Sequence, residues 1–250
     1  MLKTDRLQAI MLLLELNGRV QSNEVMEHLA VSDMTVRRDL ADLEKQGLVE
    51  RFHGGAKLRA PYCQDELSHI EKKIIHHEAK ERIVKRAAEF INEGDTIFLG
   101  PGTTIELFVQ YIQADFLRIV TNCQPIFEQL NKCKKNWKIY LLGGELREKT
   151  QSFVGEITNK SLMNMNFHKA FFSCNALDGE KIMTATFEEG QTQQIALNNS
   201  IERFLLMDHS KIGKRDFSVY YKLQDVTTVI TDDHEQKQYK KIEKKEKHIV

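Results

Sequence analysis

The chain has 250 residues, which is long for one domain and comfortable for two. Hydrophobic residues make up 41% and charged residues 29% of it, a composition typical of soluble globular proteins. The formal net charge is +0, so any binding of nucleic acid must depend on where the basic side chains lie. No apolar run approaches the roughly 20 residues that span a bilayer and no signal segment is visible, so we expect a cytoplasmic protein.

Residues 1–58 predict a small domain of three helices and a hairpin. Apolar residues at helical spacing mark the first helix, which ends at an Asn-Gly pair. Ser22 or Asn23 can cap the second helix and Ser32 the third, because short polar side chains bond the free N–H groups of a first turn. Gly47 ends the third helix, and an alternating strand with a double-glycine turn follows it.

The third helix separates an apolar face from a face suited to DNA. At 100° per residue, Val36, Leu40 and Leu43 share one side, which predicts that this side packs on the core. The residues on or beside the opposite side are Met34, Thr35, Arg37 and Arg38. Arginine can hold guanine O6 and N7 with two hydrogen bonds, so we expect this helix to enter a major groove. Arg51 and His53 on the hairpin could lie along the phosphates.

Two motifs in this region resemble the DeoR family of bacterial repressors. One is the serine-x-x-threonine-x-arginine-arginine-aspartate-leucine element from Ser32 to Leu40, and the other is the histidine-glycine-glycine-alanine element from His53 to Ala56. The resemblance covers nearly the whole chain and implies a repressor that binds double-stranded operator DNA without a cofactor. It implies a DNA-binding set of Ser32, Thr35, Arg37, Arg38, Arg51 and His53.

From residue 76 onwards, helical patterns alternate with short β-rich runs. The runs are 96–99, 118–121, 138–142, 169–173, 203–207 and 227–230. Strands separated by helices predict a mostly parallel sheet with helices on its faces. We therefore expect an α+β winged helix-turn-helix at 1–58, a linker around Pro61 at 59–75, and an α/β domain at 76–250.

A glycine-rich turn follows the first predicted strand of the second domain. Glycines let an anion approach the backbone, and the N–H groups at a helix start can hold a phosphate. A glycine turn that merely reverses the chain is the alternative interpretation. Polar residues, among them Asn122, Glu145, Asn175 and Lys211, follow four other predicted strands. The carboxyl ends of parallel strands meet at one edge of a sheet, so we expect these groups to converge on one crevice.

The same segments resemble the effector domain of the DeoR family, itself similar to ribose-5-phosphate isomerase and related sugar-phosphate enzymes. The resemblance implies that Gly102 to Thr104 hold a phosphate, that Lys211 adds positive charge, and that four residues meet sugar hydroxyls. The effector-binding set it implies is Gly100, Gly102, Thr103, Thr104, Asn122, Glu145, Asn175, Glu189 and Lys211. Short matches at 70–73, 100–104 and 196–199 are similar to the lactose phosphotransferase repressor branch of the family, which implies tagatose 6-phosphate or galactose 6-phosphate as effector.

An active sugar-phosphate isomerase with a DNA-binding appendage is a second hypothesis. Isomerisation needs a positioned carboxylate base beside the carbonyl. Related isomerases carry an aspartate-glycine-alanine-aspartate-glutamate run where this chain has Ser-Cys-Asn-Ala-Leu at 173–177. Glu189 could still act as a base, so we expect no enzyme activity without excluding it.

A metal or redox sensor is a third hypothesis. His76 and His77 are neighbours on a predicted helix, where adjacent side chains point about 100° apart, so they make a poor chelate and we expect no metal site. The scattered cysteines, Cys63, Cys123, Cys133 and Cys174, predict buried free thiols.

One helix-turn-helix makes few base contacts, so we expect a homodimer or homotetramer that pairs two half-sites. A bound sugar phosphate would then shift the linker helices and release the operator, because a ligand acts by preferring one arrangement over another.

Overall fold

The computed structural model describes residues 3–45, 49–58, 67–133, 135–232 and 248–249. The chain divides into two compact units, Met1–Gln64 and Asp65–Val250, each with its own hydrophobic core. Gly47, Pro61 and Cys63, on which predictions were placed above, lie outside the described residues. Within those ranges, no helix is long and apolar enough to cross a membrane.

The first unit packs three helices against a small antiparallel sheet. Its elements are α1 (Lys3–Asn17), β1 (Arg19–Gln21), α2 (Ser22–Leu29), α3 (Asp33–Lys45), β2 (Val49–Phe52) and β3 (Gly55–Leu58). The strand order is β1-β3-β2, with both pairings antiparallel. This is the predicted winged helix-turn-helix. The sequence pattern does not reveal β1, because three residues are too few to display an alternation.

The helix starts agree with the prediction for α3 and differ for α2. Gln21, not Ser22 or Asn23, occupies the capping position of α2, and its N–H donates to the Glu24 carboxylate at 3.0 Å. That reciprocal bond satisfies a free N–H of the first turn, which is why the helix begins one residue earlier than a serine cap would allow. Ser32 caps α3 as predicted, since its Oγ accepts from the N–H of Thr35 at 3.4 Å.

The two glycines of the hairpin have separate structural roles. Gly54 has a φ of 88°, a left-handed backbone conformation that residues other than glycine rarely adopt. Gly55 allows close approach of β1, because a Cβ there would lie 2.2 Å from the carbonyl oxygen of Val20 and 2.8 Å from the Phe52 ring. The glycine pair of the family motif is therefore required by the shape of the hairpin.

A buried ion pair crosses the core of the first unit. Val36, Leu40 and Leu43 are buried as the periodicity predicts. Between them on α3, Asp39 is fully buried and receives two hydrogen bonds from the Arg6 guanidinium of α1, one of them at 3.0 Å from Nη2 to Oδ1. The hydrogen bond with Asp39 raises the pKa of Arg6. The aspartate of the motif thus joins α3 to α1.

The second unit is built on a parallel sheet. Its helices are α4 (His69–Ile74), α5 (His77–Ala88), α6 (Thr103–Phe108), α7 (Gln124–Lys132), α8 (Glu156–Met163) and α9 (Phe187–Asn198). The main-sheet strands are β4 (Thr96–Leu99), β5 (Arg118–Thr121), β6 (Lys138–Leu141), β9 (Phe167–Phe172), β12 (Ser200–Leu206), β14 (Thr228–Ile230) and β15 (His248–Ile249). The smaller sheets contain β7 (Glu145–Arg147), β8 (Ser152–Val154), β10 (Ala176–Asp178), β11 (Lys181–Thr184) and β13 (Ser218–Lys222).

The order of the main sheet is β15-β14-β12-β9-β4-β5-β6, and every pairing in it is parallel. The six predicted strands correspond to β4, β5, β6, β9, β12 and β14. The chain runs from β4 outward through β5 to β6, and from β9 outward through β12 to β14. The strand order therefore reverses between β4 and β9, the position where open α/β sheets bind ligands beyond their carboxyl ends.

The central strands bury alternate side chains on opposite faces of the sheet. Phe98 and Phe172 belong to one core cluster, whereas Phe171 and Phe204 belong to the other. Strands covered on both faces read as continuous apolar runs, which is why the sequence reveals them clearly. The strands of the smaller sheets, β7, β8, β10, β11 and β13, lack such runs, and the sequence does not predict them.

Candidate functional site

The outward face of α3 presents two side chains to solvent, those of Met34 and Arg38. Met34 is 80% exposed, and Arg38 is exposed and makes no ion pair with any residue that the structure describes. Arg37 lies beside them, and its Nε donates to the Asp33 carboxylate at 2.8 Å. The hydroxyl groups of Thr35 and Ser32 lie 2.9 Å apart at the start of the helix.

The basic residues of the hairpin are partly neutralised. The N–H of Arg51 donates to Glu44 at 3.1 Å, and its guanidinium lies 3.9 Å from the same carboxylate. Lys57 and Glu50 form a second exposed pair at 3.1 Å. His53 is exposed in the turn. Exposed pairs of this kind contribute at most about 1 kcal/mol, so DNA phosphates can replace the carboxylates.

The glycine-rich turn lies at the reversal point of the sheet. The N–H of Gly100 donates to the carbonyl of Phe171 at 2.9 Å, so this N–H holds β4 to β9 and is not free for a ligand. Gly102 occupies the capping position of α6, and a Cβ there would lie 3.5 Å from Ser173. Thr104 is buried in the first turn of α6. The turn therefore packs against the end of β9.

Two lysines connect this turn to the segment after β9. The Lys80 ammonium donates to Thr103 Oγ1 at 3.0 Å and also to the carbonyl of Lys72. The Lys72 ammonium donates to Asn175 Oδ1 at 3.2 Å, and Asn175 Nδ2 donates to Asp216 at 2.9 Å. Thr103 and Asn175, which are far apart in sequence, are thus linked through these two lysines.

Lys211 is close enough to Lys80 to affect the pKa of its ammonium group. The pKa of Lys80 is lowered to about 8, chiefly by burial, with Lys211 and Lys72 adding to the lowering and Asp208 opposing it. Burial alone would raise the pKa of Asp208, but Lys211, the hydrogen bond from Ser210 and His76 lower it. We call Lys72, Lys80 and Lys211 the lysine cluster. Asp208 and Glu106 offset part of this positive charge, but Glu106 is itself bound by His69 and Lys73, so the lysine cluster remains a site that attracts anions.

Helix α4 is anchored to α6 through a buried carboxylate. Glu106 accepts from His69 Nε2 and from Lys73 Nζ, both at 2.7 Å. Burial by itself would raise the pKa of Glu106, but the hydrogen bonds from His69 and Lys73 lower it to about 2. The N–H of His69 also donates to the carbonyl of Lys149 at 2.8 Å. The helix that contributes Lys72 to the lysine cluster is therefore fixed at a second point.

The remaining predicted residues are not all brought to the cluster. Asn122 is fully buried just after β5. Its Nδ2 donates to the backbone carbonyl of Phe153 at 2.8 Å, and its Oδ1 has no partner among the described residues. Glu189 is buried and accepts from the Thr184 hydroxyl at 2.5 Å. Glu145 is exposed on β7 opposite Val154 and makes no hydrogen bond or ion pair within the described ranges.

The three cysteines that the structure describes, Cys123, Cys133 and Cys174, are free thiols. Cys123 and Cys174 are buried, and burial raises the pKa of each to about 12. The prediction of buried thiols is wrong for Cys133, which is only half-buried at the end of α7. In the part of the chain that the structure describes, no group of three or more His, Cys, Asp or Glu side chains could hold a metal ion.

Comparison with known proteins agrees with this two-part organisation. The model of the DeoR-like helix-turn-helix domain matches residues 6–61, and that of the DeoR C terminal sensor domain matches residues 75–233. The chain belongs to the DeoR family. A lactose phosphotransferase system repressor from Streptococcus mutans is 47% identical over 245 residues, covering 98% of each chain. The repressor of the same name from Staphylococcus aureus strain NCTC 8325 is 45% identical over 231 residues, covering 92% of each.

A solved structure of ribose 5-phosphate isomerase A from Neisseria gonorrhoeae is similar to this DeoR-family chain at a TM-score of 0.39. Its identity is 15%, over 54% of this chain and 53% of that chain. No conclusion about activity rests on a likeness this distant. The first unit is a DNA-binding helix-turn-helix and the second a sensor domain, which makes the protein a DNA-binding repressor.

The sequence motifs did not point to Lys72, Lys80 or Glu106 as residues around the predicted crevice. A signal for Lys80 was present, because it lies one turn from Ile83 and Val84 on the apolar face of α5. A charged residue on a core-facing stripe needs a partner, so it marks a polar site.

Proposed function

We propose that this DeoR-family repressor controls a sugar-catabolism operon and leaves its operator when a phosphorylated sugar binds the sensor domain. The observation that carries the proposal is the lysine cluster beside the glycine turn. A dianionic phosphate would accept hydrogen bonds from the three ammonium groups and from Thr103. It would also raise the pKa of Lys80, which burial and its lysine neighbours hold low.

The residues that the family resemblance implies for sugar binding suit a sugar attached to that phosphate. Ammonium groups only donate hydrogen bonds, whereas the amide oxygens of Asn122 and Asn175 and the Glu189 carboxylate accept them. Sugar hydroxyls can donate to these acceptors. Asn122 Oδ1 is buried without a partner among the described residues, and an unmade bond at such an atom is costly. A ligand hydroxyl at this position would therefore be favoured.

Tagatose 6-phosphate and galactose 6-phosphate are the first ligands to test. The names of the relatives above support this choice, because they are repressors of lactose phosphotransferase systems. Both ligands carry the phosphate that the lysine cluster would bind. They differ in the carbonyl carbon, so their comparison also reports which hydroxyl pattern the acceptors prefer.

Helix α4 offers a route from the ligand to the operator. It is the first helix of the second unit, after the segment that joins the two units. A phosphate at Lys72 and Lys80 would compete with the contacts of these lysines to Asn175 and to the backbone of α4. We expect α4 to shift and the paired recognition helices of a homodimer or homotetramer to separate. A tenfold loss of operator affinity needs about 1.4 kcal/mol of coupling, which is ordinary for allostery.

A gel-shift titration tests the proposal. The operator is first isolated as the duplex that the wild-type protein selects from randomised DNA. Tagatose 6-phosphate or galactose 6-phosphate should release this duplex, whereas tagatose, galactose and inorganic phosphate should not. Lys211→Ala should need about 10- to 100-fold more ligand, the cost of losing one charged hydrogen bond. Thr103→Ala should have a milder effect, because its hydroxyl is neutral.

Lys222→Ala is the matched control for the lysine variant. Lys222 is an exposed lysine of the same unit on β13, so its loss should leave the titration unchanged. Release by the unphosphorylated sugars, or a normal response of Lys211→Ala, would contradict phosphate sensing.

The isomerase hypothesis can be tested with the same ligands. The acid that could serve as base, Glu189, accepts a short hydrogen bond from Thr184 and lies 3.9 Å from Arg147. These two partners already hold the carboxylate in place, which favours sensing over catalysis. Conversion of either sugar phosphate by the wild-type protein, lost in Glu189→Gln, would favour the isomerase instead.

A further inference from the structure

The first turn of α3 leaves one side chain without an intramolecular role. The carboxylate of Asp33 binds Arg37 at 2.8 Å, and the hydroxyl of Thr35 lies 2.9 Å from that of Ser32. The fourth residue of the turn is buried in the core. Met34 is the exception, because it is 80% exposed. A long apolar side chain that is this exposed buries little apolar surface in the free protein.

Met34 and Arg38 form a pair on this face. Residues four apart on a helix are neighbours, with about 5–6 Å between their Cβ atoms. Arg38 is exposed and free of ion pairs within the described ranges. In helix-turn-helix proteins the N-terminal residues of the recognition helix contact base edges. Base pairs are stacked about 3.4 Å apart, so the two side chains would reach positions one or two steps apart.

We propose that Met34 is a specificity-determining residue that contacts the 5-methyl group of a thymine in the operator, beside the base that Arg38 contacts. The thioether is at most a weak acceptor and cannot donate a hydrogen bond, so it cannot satisfy the polar edges of guanine or cytosine. The thymine methyl is the apolar group of the major groove, and apolar side chains recognise it by contact. Its unbranched chain lets methionine adapt to that contact.

The test removes the methyl group and nothing else. In the duplex that the wild-type protein selects from randomised DNA, each thymine is replaced singly by deoxyuridine, which keeps base pairing intact. At one thymine in each half-site, the replacement should weaken wild-type binding about fourfold, the factor expected for one buried methyl group. Met34→Ala should weaken binding to the unmodified duplex by a similar factor and bind both duplexes equally.

Two further variants separate this contact from a general loss of binding. Met34→Leu keeps an apolar side chain and should keep the dependence on the methyl group. Arg38→Ala should bind more weakly to every duplex and still distinguish thymine from deoxyuridine at that position. The proposal is overturned if no thymine in the selected duplex shows methyl dependence with the wild-type protein. It is equally overturned if Met34→Ala retains that dependence. Neither result depends on the effector.

Discussion

The two units of this repressor use charge in opposite ways. On the DNA-binding face the cations are exposed, and several are paired with carboxylates of the same unit, as Arg37 is with Asp33 and Arg51 with Glu44. At the lysine cluster, burial and the charges of Lys211 and Lys72 lower the pKa of Lys80. A long polyanion can displace surface carboxylates one at a time, whereas a small dianion needs its cations already assembled.

The comparison explains why the net charge of +0 is a poor guide to DNA binding in this chain. Each exposed basic side chain of the first unit that pairs with an acid cancels in the sum but remains available at the surface. The net charge does not show that Arg38 lies on the outward face of α3, which is the feature that indicates DNA binding. Buried charge in the first unit has the opposite meaning, because the Arg6–Asp39 pair holds helices together.

The largest effect is expected where this structural pair is broken. Arg6→Ala leaves Asp39 buried and unpaired, which costs about 3–5 kcal/mol of folding free energy. In a urea titration followed by far-UV circular dichroism, the first unit should unfold at lower urea. The fluorescence of Trp137, the one tryptophan of the chain, should keep its midpoint because it lies in the second unit.

Lys3→Ala is the control, since it removes an exposed partner of Asp42 and should cost about 0.5 kcal/mol or less. The double variant Arg6→Met with Asp39→Leu should recover most of the stability, because no unpaired charge remains. An Arg6→Ala protein as stable as Lys3→Ala would show that the pair does not hold α1 to α3.

A smaller effect, confined to binding, is expected at the outward face of α3. Arg38→Ala should weaken the selected operator by about 1–3 kcal/mol if the guanidinium contacts a base, because that is the range for a bidentate contact. Affinity for a random duplex should fall by less. Since Arg38 is exposed, thermal unfolding should not change. Equal losses on both duplexes would mean that Arg38 contacts only phosphates.

The two units also differ in how much their sequence predicts. In the first unit the helical period identified Val36, Leu40 and Leu43 as core and Arg38 as outward, because one local period determines both faces. In the second unit the apolar runs predicted the parallel strands. The rule that the carboxyl ends of these strands converge predicted a crevice beside the glycine turn. What lies around that turn depends on long-range packing.

Glu145 and Lys80 illustrate the difference. Glu145 follows a predicted strand, but the chain turns into the β7–β8 hairpin, and its side chain is exposed there. Lys80 lies on α5, ahead of the first strand of the main sheet. Only the packing of α5 on α6 places it against Thr103. A local pattern cannot report which of two such residues faces the ligand.

The smallest effect is a pH dependence of ligand binding, and it tests whether the lysine cluster is assembled before the ligand arrives. Only the charged form of Lys80 attracts a dianion, and its pKa is about 8 in the free protein. Because the second pKa of a phosphate monoester is about 6, affinity should be roughly constant from pH 6.5 to 7.5. It should then fall as pH rises through 8, by up to about 1.4 kcal/mol per pH unit above that value. Titration calorimetry with tagatose 6-phosphate, without DNA, measures this directly and should show proton uptake near pH 8.

Lys80→Arg keeps a charge at every pH, so its affinity should stay flat to pH 9. If the wild-type protein and Lys80→Arg lose affinity in parallel, the dependence comes from another group and Lys80 does not contact the phosphate.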